Sequence, residues 1–200
     1  MTPTGRDPGA RDTGIQADAT IDAAIVRVAR EDSGRVLAFL TRRFGDLDLA
    51  DEAVQEALIE ASRRWPATGV PDNPGGWLAT VATRKAIDRL RRAETRERRQ
   101  ATARIDLART TGDDDPPGRD LMIEHNEQIT DERLRLLFLC CHPAINPEAQ
   151  IALTLRLVGG LTTTEIAAAF VVPEATLAQR IVRAKSKIRD ARIPMSVPDE

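Results

Sequence analysis

The stretch 162–190 reads TTTEIAAAFVVPEATLAQRIVRAKSKIRD and contains the signals for two consecutive helices. Thr162 and Glu165 have the S/T-x-x-E spacing of a capping box, which predicts that a helix begins there. Pro173 disfavours helical geometry at the residue before it and is well suited to open a new helix. The stretch therefore predicts a short helix, a tight turn and a longer second helix.

The second of these helices is expected to have one apolar side and one polar, basic side. Its apolar residues recur at i, i+4, i+7 and i+11 and share one stripe: Leu177, Ile181, Ala184 and Ile188. The opposite side carries Thr176, Gln179, Arg183 and Ser186, with Arg180 and Lys187 at its edge. This pattern predicts a helix-turn-helix whose second helix can enter a DNA major groove. An ordinary helical hairpin with a solvated basic face has the same local pattern.

Charge is unevenly distributed along a nearly neutral chain. The 200 residues carry a formal net charge of -2, with 42% hydrophobic and 30% charged residues. Residues 84–104 hold nine basic and three acidic residues, whereas 106–132 hold nine acidic and two basic residues. A concentrated basic segment is the electrostatic feature expected of a nucleic-acid-binding protein.

Several function classes lack support in the sequence. Cys140 and Cys141 are adjacent, and with His142 beside them no second ligand pair exists, so buried free thiols rather than a metal site are expected. The other histidine, His125, has no nucleophile, phosphate loop or paired ligand near it, which argues against an enzyme and against a cofactor. No run approaches the ~20 apolar residues of a membrane span, so a cytoplasmic protein is expected.

The helical patterns divide the chain into two helical domains and predict an all-α fold. The expected boundaries are a disordered tail (1–20), a first domain (21–99), a flexible acidic linker (100–130), a second domain (131–193) and a short tail (194–200). Within the first domain, Gly45 is expected to stop a helix and Asp48 is placed to cap the next one.

The first domain contains two strongly amphipathic segments. In DLADEAVQEALIEASRRW (48–65), the expected buried stripe is Ala50, Val54, Ala57, Leu58, Ala61 and Trp65. Its polar surface carries Asp51, Glu52, Gln55, Glu56 and Glu60. In WLATVATRKAIDRLRRAETRERR (77–99), the residues expected to face inward are Leu78, Ala82, Ala86 and Leu90. The other side carries Arg84, Lys85, Arg91 and Arg92.

The order of the segments resembles that of an extracytoplasmic-function (ECF) RNA polymerase sigma factor of the sigma-70 family. The segments are ADEAVQEALIEASRRW, a Pro/Gly loop, GGWLATVATRKAIDRLRR, a linker and the helix-turn-helix. The resemblance covers about 21–193. The segment 131–194 is similar to one subgroup in particular, whose members carry a C-terminal extension of TPR-like helical repeats. The resemblance therefore implies that the natural chain continues past Glu200.

The resemblance also implies which residues bind which partner. Segment 21–99 would be sigma domain 2 and segment 131–193 sigma domain 4. The surface that meets the clamp helices of the polymerase β′ subunit would hold Asp51, Glu52, Gln55 and Glu56. The minus-10 element, with one flipped base in the loop 67–76, would be bound by Asp72, Asn73, Arg84, Lys85, Arg91 and Arg92. The minus-35 element would be bound by Thr176, Gln179, Arg180, Arg183 and Lys187.

Two positions depart from the family pattern, and a third, Trp77, has a choice of two roles. Relatives often have glycine where this chain has Val171, and because a β-branched residue tolerates positive φ badly, a different turn geometry is expected. Many relatives have Arg or Lys where this chain has Ala178, so base readout would shift to Gln179 and Arg183. Trp77 is expected to pack in the core rather than to act as a wedge in DNA.

The function that the resemblance implies is that of an alternative sigma factor. Such a protein would bind core RNA polymerase through its β′ and β subunits, recognise promoter DNA and perform no chemistry of its own. An anti-sigma factor or a C-terminal regulatory domain would be a further partner. Two alternatives stay open: a stand-alone helix-turn-helix regulator, and a helical adaptor that binds proteins only.

Overall fold

The computed structural model describes residues 9–102 and 126–195, and every regular element within these two ranges is a helix. The all-α prediction is therefore confirmed for this part of the chain. The helices are α1 (Gly9–Glu31), α2 (Ser33–Phe44), α3 (Leu47–Thr68), α4 (Pro74–Thr102), α5 (Asn126–Cys140), α6 (Pro147–Leu153), α7 (Thr163–Phe170) and α8 (Glu174–Asp190). A π-helical turn, Thr154–Val158, extends α6.

Helix covers parts of the chain where a tail and a linker were expected. α1 begins at Gly9, and both ends of the expected linker, 100–102 and 126–130, belong to α4 and α5. The sequence contains no glycine or proline between Gly76 and Gly112, so nothing in it stops α4 at residue 99. The acidic centre of the expected linker, 103–125, lies outside the described residues.

The junction between α2 and α3 is fixed by two local signals. Gly45 ends α2 in the left-handed conformation, with φ of 70°, as expected of a helix stop. The N-cap of α3 is Asp46, whose Oδ1 accepts hydrogen bonds from the backbone N–H groups of Asp48 and Leu49 at 2.9 and 3.0 Å. The expectation that Asp48 is the cap was wrong. Since Asp48 lies in the first turn, its carboxylate is available for contacts with other helices.

Helices α3 and α4 pack closely along small side chains. The two faces in contact are rich in alanine, and the buried residues include Ala50, Ala57, Ala61, Ala82 and Ala86. Trp65 and Leu78 close this core at the end where the two helices are joined. Leu90 was expected to be buried, but 39% of its surface is exposed.

Helices α5 to α8 form the second helical unit. Its innermost side chains are Leu136, Leu153, Ile166 and Leu177. The predicted capping box at the start of α7 is present: Thr162 Oγ1 accepts from the Glu165 backbone N–H at 3.1 Å, and Glu165 Oε2 accepts from the Thr162 N–H at 2.8 Å. The predicted stripe of α8 is also confirmed, since Leu177, Ile181, Ala184 and Ile188 are all buried.

The turn between α7 and α8 uses the left-handed geometry that Val171 was expected to avoid. Val171 has φ 53° and ψ 45°, so the expectation was wrong. Two backbone hydrogen bonds, from Val172 N–H to Ala167 O at 3.0 Å and from Val171 N–H to Ala168 O at 3.2 Å, form a Schellman motif that requires this conformation. The side chain of Val171 is 90% exposed, so the cost of this conformation is the backbone strain alone.

The two helical units are in contact and share one continuous hydrophobic core. Helix α2 packs on α5 and on the turn that follows α6. At Gly34 an added Cβ would lie 2.9 Å from Val158 O, and at Gly160 it would lie 2.7 Å from Ala29 O. Only glycine permits such a close approach of two backbones. The two units therefore fit together closely at these two glycines, where any larger residue would push them apart.

Candidate protein-binding and nucleic-acid interfaces

The outward side of α8 carries the residues that were expected to bind the minus-35 element. Thr176, Gln179, Arg183 and Lys187 are exposed on it. Gln179 and Arg183 lie four residues apart, or about 6 Å along the helix axis, close to two base-pair steps of ~3.4 Å. Arg180 is partly buried, and its guanidinium pairs with Glu148 at the start of α6 at 2.8 Å. The structure thus groups four of these five residues on one accessible face and sets Arg180 at its edge.

The basic residues of α4 divide into two groups with different surroundings. Arg84, Arg91 and Arg92 are exposed and share one helical face. Lys85 points instead towards α3, where its Nζ lies 2.9 Å from Glu60 Oε2. The hydrogen bond from Lys85 lowers the pKa of the Glu60 carboxyl below its usual range. Three of the four basic side chains are therefore free to meet a phosphate backbone, and Lys85 is paired within the protein.

The loop between α3 and α4 is held from several sides. Asp72 and Asn73 are both exposed, and Asn73 Oδ1 accepts a hydrogen bond from the Gly76 backbone N–H at 2.9 Å. The side chain of Asn73 thus caps α4 in this structure. Behind the loop, the carboxylate of Asp32 lies so close to Gly75 that an added Cβ would meet its Oδ1 at 2.7 Å. Burial raises the pKa of Asp32 above its ordinary value.

The acidic surface of α3 is paired with basic residues of α4 and α8. Arg89 of α4 forms ion pairs with both Glu52 and Glu56, the latter at 2.5 Å. Asp51 accepts hydrogen bonds from Gln55 Nε2 at 3.0 Å and from Lys185 Nζ at 2.8 Å. All four residues expected to bind the polymerase lie on this surface, and three of them are ion-paired within the chain.

Sequence reasoning did not single out Arg89 or Lys185 as partners of this surface. For Arg89 the sequence did contain a signal. Lys85 and Arg89 are four residues apart, and the glutamates of α3 that they contact, Glu60 and Glu56, have the same spacing. Lys185 contacts a residue 134 positions away, so it had no local signal.

The two cysteines lie at the end of α5 in different surroundings. Cys140 is fully buried, and burial raises the pKa of its thiol to about 12. Cys141 is exposed, so the expectation that both thiols are buried holds for Cys140 only. Within 9–102 and 126–195 no group of three metal-ligating side chains occurs, and no helix there is long and apolar enough to cross a membrane.

Two family models match the chain, one on each helical unit. The model described as Sigma-70 region 2 matches residues 28–96, from α1 to α4. The model described as Sigma-70, region 4 matches residues 135–188, from α5 to α8. The matches occur in this order, and the acidic centre of the chain separates them.

Curated relatives include proteins with sigma-factor names. An uncharacterised protein of Rhizobium meliloti (strain 1021) is 41% identical over 179 residues, which cover 90% of this chain and 40% of that protein. A probable ECF RNA polymerase sigma factor, SigI of Mycobacterium tuberculosis, is 30% identical over 163 residues, or 80% of this chain and 52% of SigI. The ECF RNA polymerase sigma factor SigK of Mycobacterium ulcerans is 28% identical over 78% of this chain and 75% of SigK. The chain thus spans about half or less of the length of the first two relatives.

Proposed function

Because the chain belongs to the sigma-70 family, in its extracytoplasmic-function class, we propose that it is an alternative sigma factor. It binds core RNA polymerase and directs it to promoters, where transcription starts. The single observation that carries this proposal is the order of the two family matches on two helical units with separate basic faces. One basic face lies on α4 and the other on α8.

In this proposal the two basic faces bind two promoter elements. Arg84, Arg91 and Arg92 of α4 contact phosphates near the minus-10 element, and the loop before α4, with Asp72 and Asn73, receives a base there. Gln179 and Arg183 of α8 read base edges of the minus-35 element, because glutamine suits adenine and arginine suits guanine through paired hydrogen bonds. Their exposure on one accessible face supports this assignment.

The acidic surface of α3 is the proposed contact with the polymerase. Asp51, Glu52, Gln55 and Glu56 meet the clamp helices of the β′ subunit, and further contacts involve the β subunit. Glu52 and Glu56 stay 53% and 38% exposed although they pair with Arg89, which supports a surface that another protein can reach. The protein supplies binding energy and no chemistry, since nucleotide addition belongs to the polymerase. In this proposal the sigma factor and the polymerase act together in the cytoplasm.

We also propose that the chain belongs to the subgroup with a TPR-like C-terminal extension. The aligned part covers only 40% of the Rhizobium relative, so that protein is long enough to hold a further domain beside the sigma part. The extension, or an anti-sigma factor, would then regulate the sigma part. Sequencing the gene beyond the codon for Glu200 tests the proposal, and a stop codon directly after it would contradict it.

Polymerase-dependent DNA binding tests the proposed function. Fluorescence anisotropy of a labelled promoter fragment is measured with the protein alone, with core polymerase alone and with both. Tight, sequence-specific binding is expected only with both, and the free protein is expected to show the weak, non-specific binding of about 10⁻⁴–10⁻⁶ M at physiological salt. Nanomolar binding by the protein alone would instead identify a stand-alone regulator. Binding to polymerase without any effect on DNA would identify an adaptor.

A further inference from the structure

The first turns of α3 and the last turns of α8 are joined by a compact set of ion pairs. Lys185 Nζ lies 3.0 Å from Asp48 Oδ1 and 2.8 Å from Asp51 Oδ2, and Arg189 Nη1 lies 2.9 Å from Asp48 Oδ2. The side chain of Lys185 is only 12% exposed. We call Asp48 and Asp51 the acidic end of α3. Two carboxylates and one largely buried ammonium group thus meet at the seam between the helical units.

This arrangement differs from an incidental surface pair. Burial alone would lower the pKa of Lys185, but the two carboxylates outweigh it and raise the pKa above its usual value. Two further ion pairs span the seam, one between Arg30 and Glu165 at 2.6 Å and one between Arg42 and the buried Glu132 at 2.9 Å. Each pair joins the first helical unit to the second.

The closed arrangement conflicts with the proposed function in two ways. Asp51, a proposed polymerase contact, is occupied by Lys185. The minus-10 and minus-35 elements lie about 25 base pairs apart by their names, or about 85 Å at ~3.4 Å per base pair. A compact chain of this length has a radius of gyration of about 17 Å, so two units that touch at this seam cannot reach both elements.

We infer that the acidic end of α3 is a docking surface for basic helices, which α8 occupies in the free chain and which polymerase takes over when the units separate. This inference rests on the proposed function. The two occupants exclude each other, since the carboxylates of Asp48 and Asp51 cannot pair with Lys185 and with the polymerase at once. The apparent affinity for polymerase is therefore the affinity of the open chain multiplied by the fraction of chains that are open.

Zero-length cross-linking tests the intramolecular contact directly. A carbodiimide activates a carboxylate, the amine of a nearby lysine displaces the resulting urea, and an amide bond forms between the two side chains. The chain has only three lysines, Lys85, Lys185 and Lys187, so cross-linked peptides can be assigned by mass spectrometry. We expect a link from Lys185 to Asp48 or Asp51 in the free chain. The link from Lys85 to Glu60, within the first helical unit, is the positive control.

The same cross-link should disappear when core polymerase is added in excess. Lys185→Arg is the matched control, because it keeps the positive charge but removes the amine that reacts. A free chain that forms the Lys85–Glu60 link without the Lys185 link would overturn the inference. A Lys185 link that persists undiminished in the purified polymerase complex would overturn it as well.

Polymerase affinity supplies the second measurement, made without DNA. Lys185 is not among the proposed DNA or polymerase contacts, and Lys185→Glu sets three carboxylates together and opens the seam. We expect this variant to bind core polymerase about three- to ten-fold more tightly than the parent chain. Arg63→Glu, the same charge change at an exposed position farther along α3, should show no gain. If Lys185→Glu does not fold, Lys185→Gln takes its place. Because it is a milder change, it should show a smaller gain in polymerase affinity.

The outcomes separate this inference from the proposed function. Equal polymerase affinity for the parent chain, Lys185→Glu and Lys185→Gln would overturn the inference while the proposed function stood. No polymerase binding by any variant, with the Lys185 cross-link present, would overturn the proposed function and the competition with it. The intramolecular contact would then remain as an observation on the free chain.

Discussion

Trp65, near the end of α3, and Trp77, in the first turn of α4, meet edge to face with their ring centroids 5.4 Å apart. Trp65 is almost fully buried, and Trp77 is partly buried against the same core. Trp77 therefore packs in the core, as expected from the sequence. Because the two rings lie at the two ends of the loop 69–73, their contact fixes the loop that is proposed to receive a promoter base.

Replacing these rings should reveal that they stabilise the fold jointly. Trp65→Ala is expected to lower the free energy of unfolding by about 3–5 kcal/mol, because it empties a buried aromatic site. Trp77→Ala should cost less, since part of its surface is already in water. Urea unfolding of both single variants and the double variant should give a coupling of about 0.5–1.5 kcal/mol. Strictly additive losses would contradict the contact.

Val171→Gly should stabilise the protein. A residue other than glycine in the left-handed conformation costs roughly 1–2 kcal/mol, and glycine loses part of this gain through the greater freedom of the unfolded chain. The net gain is expected to be about 0.5–1 kcal/mol in denaturant unfolding. Val182→Gly, in the interior of α8, is the control and should destabilise. A loss of stability in Val171→Gly would show that the turn tolerates valine without strain.

The capping box should make stability depend on pH in a defined direction. The hydrogen bonds from the Thr162 backbone and side chain hold the pKa of Glu165 below its ordinary value of 4.5. A carboxyl whose pKa is lowered by folding contributes stability above its unfolded pKa, and this contribution is lost as the pH falls through the folded pKa. The difference in melting temperature between the parent chain and Glu165→Gln should thus be constant above about pH 5.5 and shrink below 4.5.

The matched control for this pH dependence is Thr162→Ala, which removes the hydroxyl of the same box. It should cost about 1 kcal/mol at neutral pH, as is typical of an N-cap residue. When Thr162→Ala is already present, adding Glu165→Gln should change the melting temperature by an amount that depends less on pH. A difference that grows on acidification would contradict the sign derived from the lowered pKa.

Arg183 and Lys187 should affect DNA binding in different ways. Arg183→Ala should relax the preference at one base position of the minus-35 element by about 1–3 kcal/mol. Lys187→Ala should weaken all sequences alike and reduce the salt dependence by about one phosphate contact. Binding of the polymerase complex to a set of minus-35 variants at two salt concentrations measures both effects. An unchanged preference for Arg183→Ala would exclude it from base readout.

The helix-turn-helix could be predicted from the sequence because its signals are local. Thr162 and Glu165 are three residues apart, Pro173 acts on its immediate neighbours, and the stripe from Leu177 to Ile188 follows the helical repeat. Each of these features depends on residues within a few turns of one another, and the structure contains all of them.

The features that the sequence did not predict depend on distant or competing effects. The position of Lys185 against Asp51 joins residues 134 positions apart, and only the packing of the two units brings them together. At Val171 the hydrogen bonds of the Schellman motif outweigh the backbone preference of valine. Leu90 fits the apolar stripe of α4 but is 39% exposed, because burial depends on how the neighbouring helices pack, which the stripe alone does not specify.

Run-off transcription tests the central claim most directly. Purified core polymerase is mixed with genomic promoter fragments, with and without the protein, and transcript starts are mapped. We expect start sites that appear only when the protein is added and that are lost with a variant carrying both Gln179→Ala and Arg183→Ala. If the protein binds core polymerase but no new start site appears on any fragment, the assignment as a promoter-directing sigma factor is contradicted.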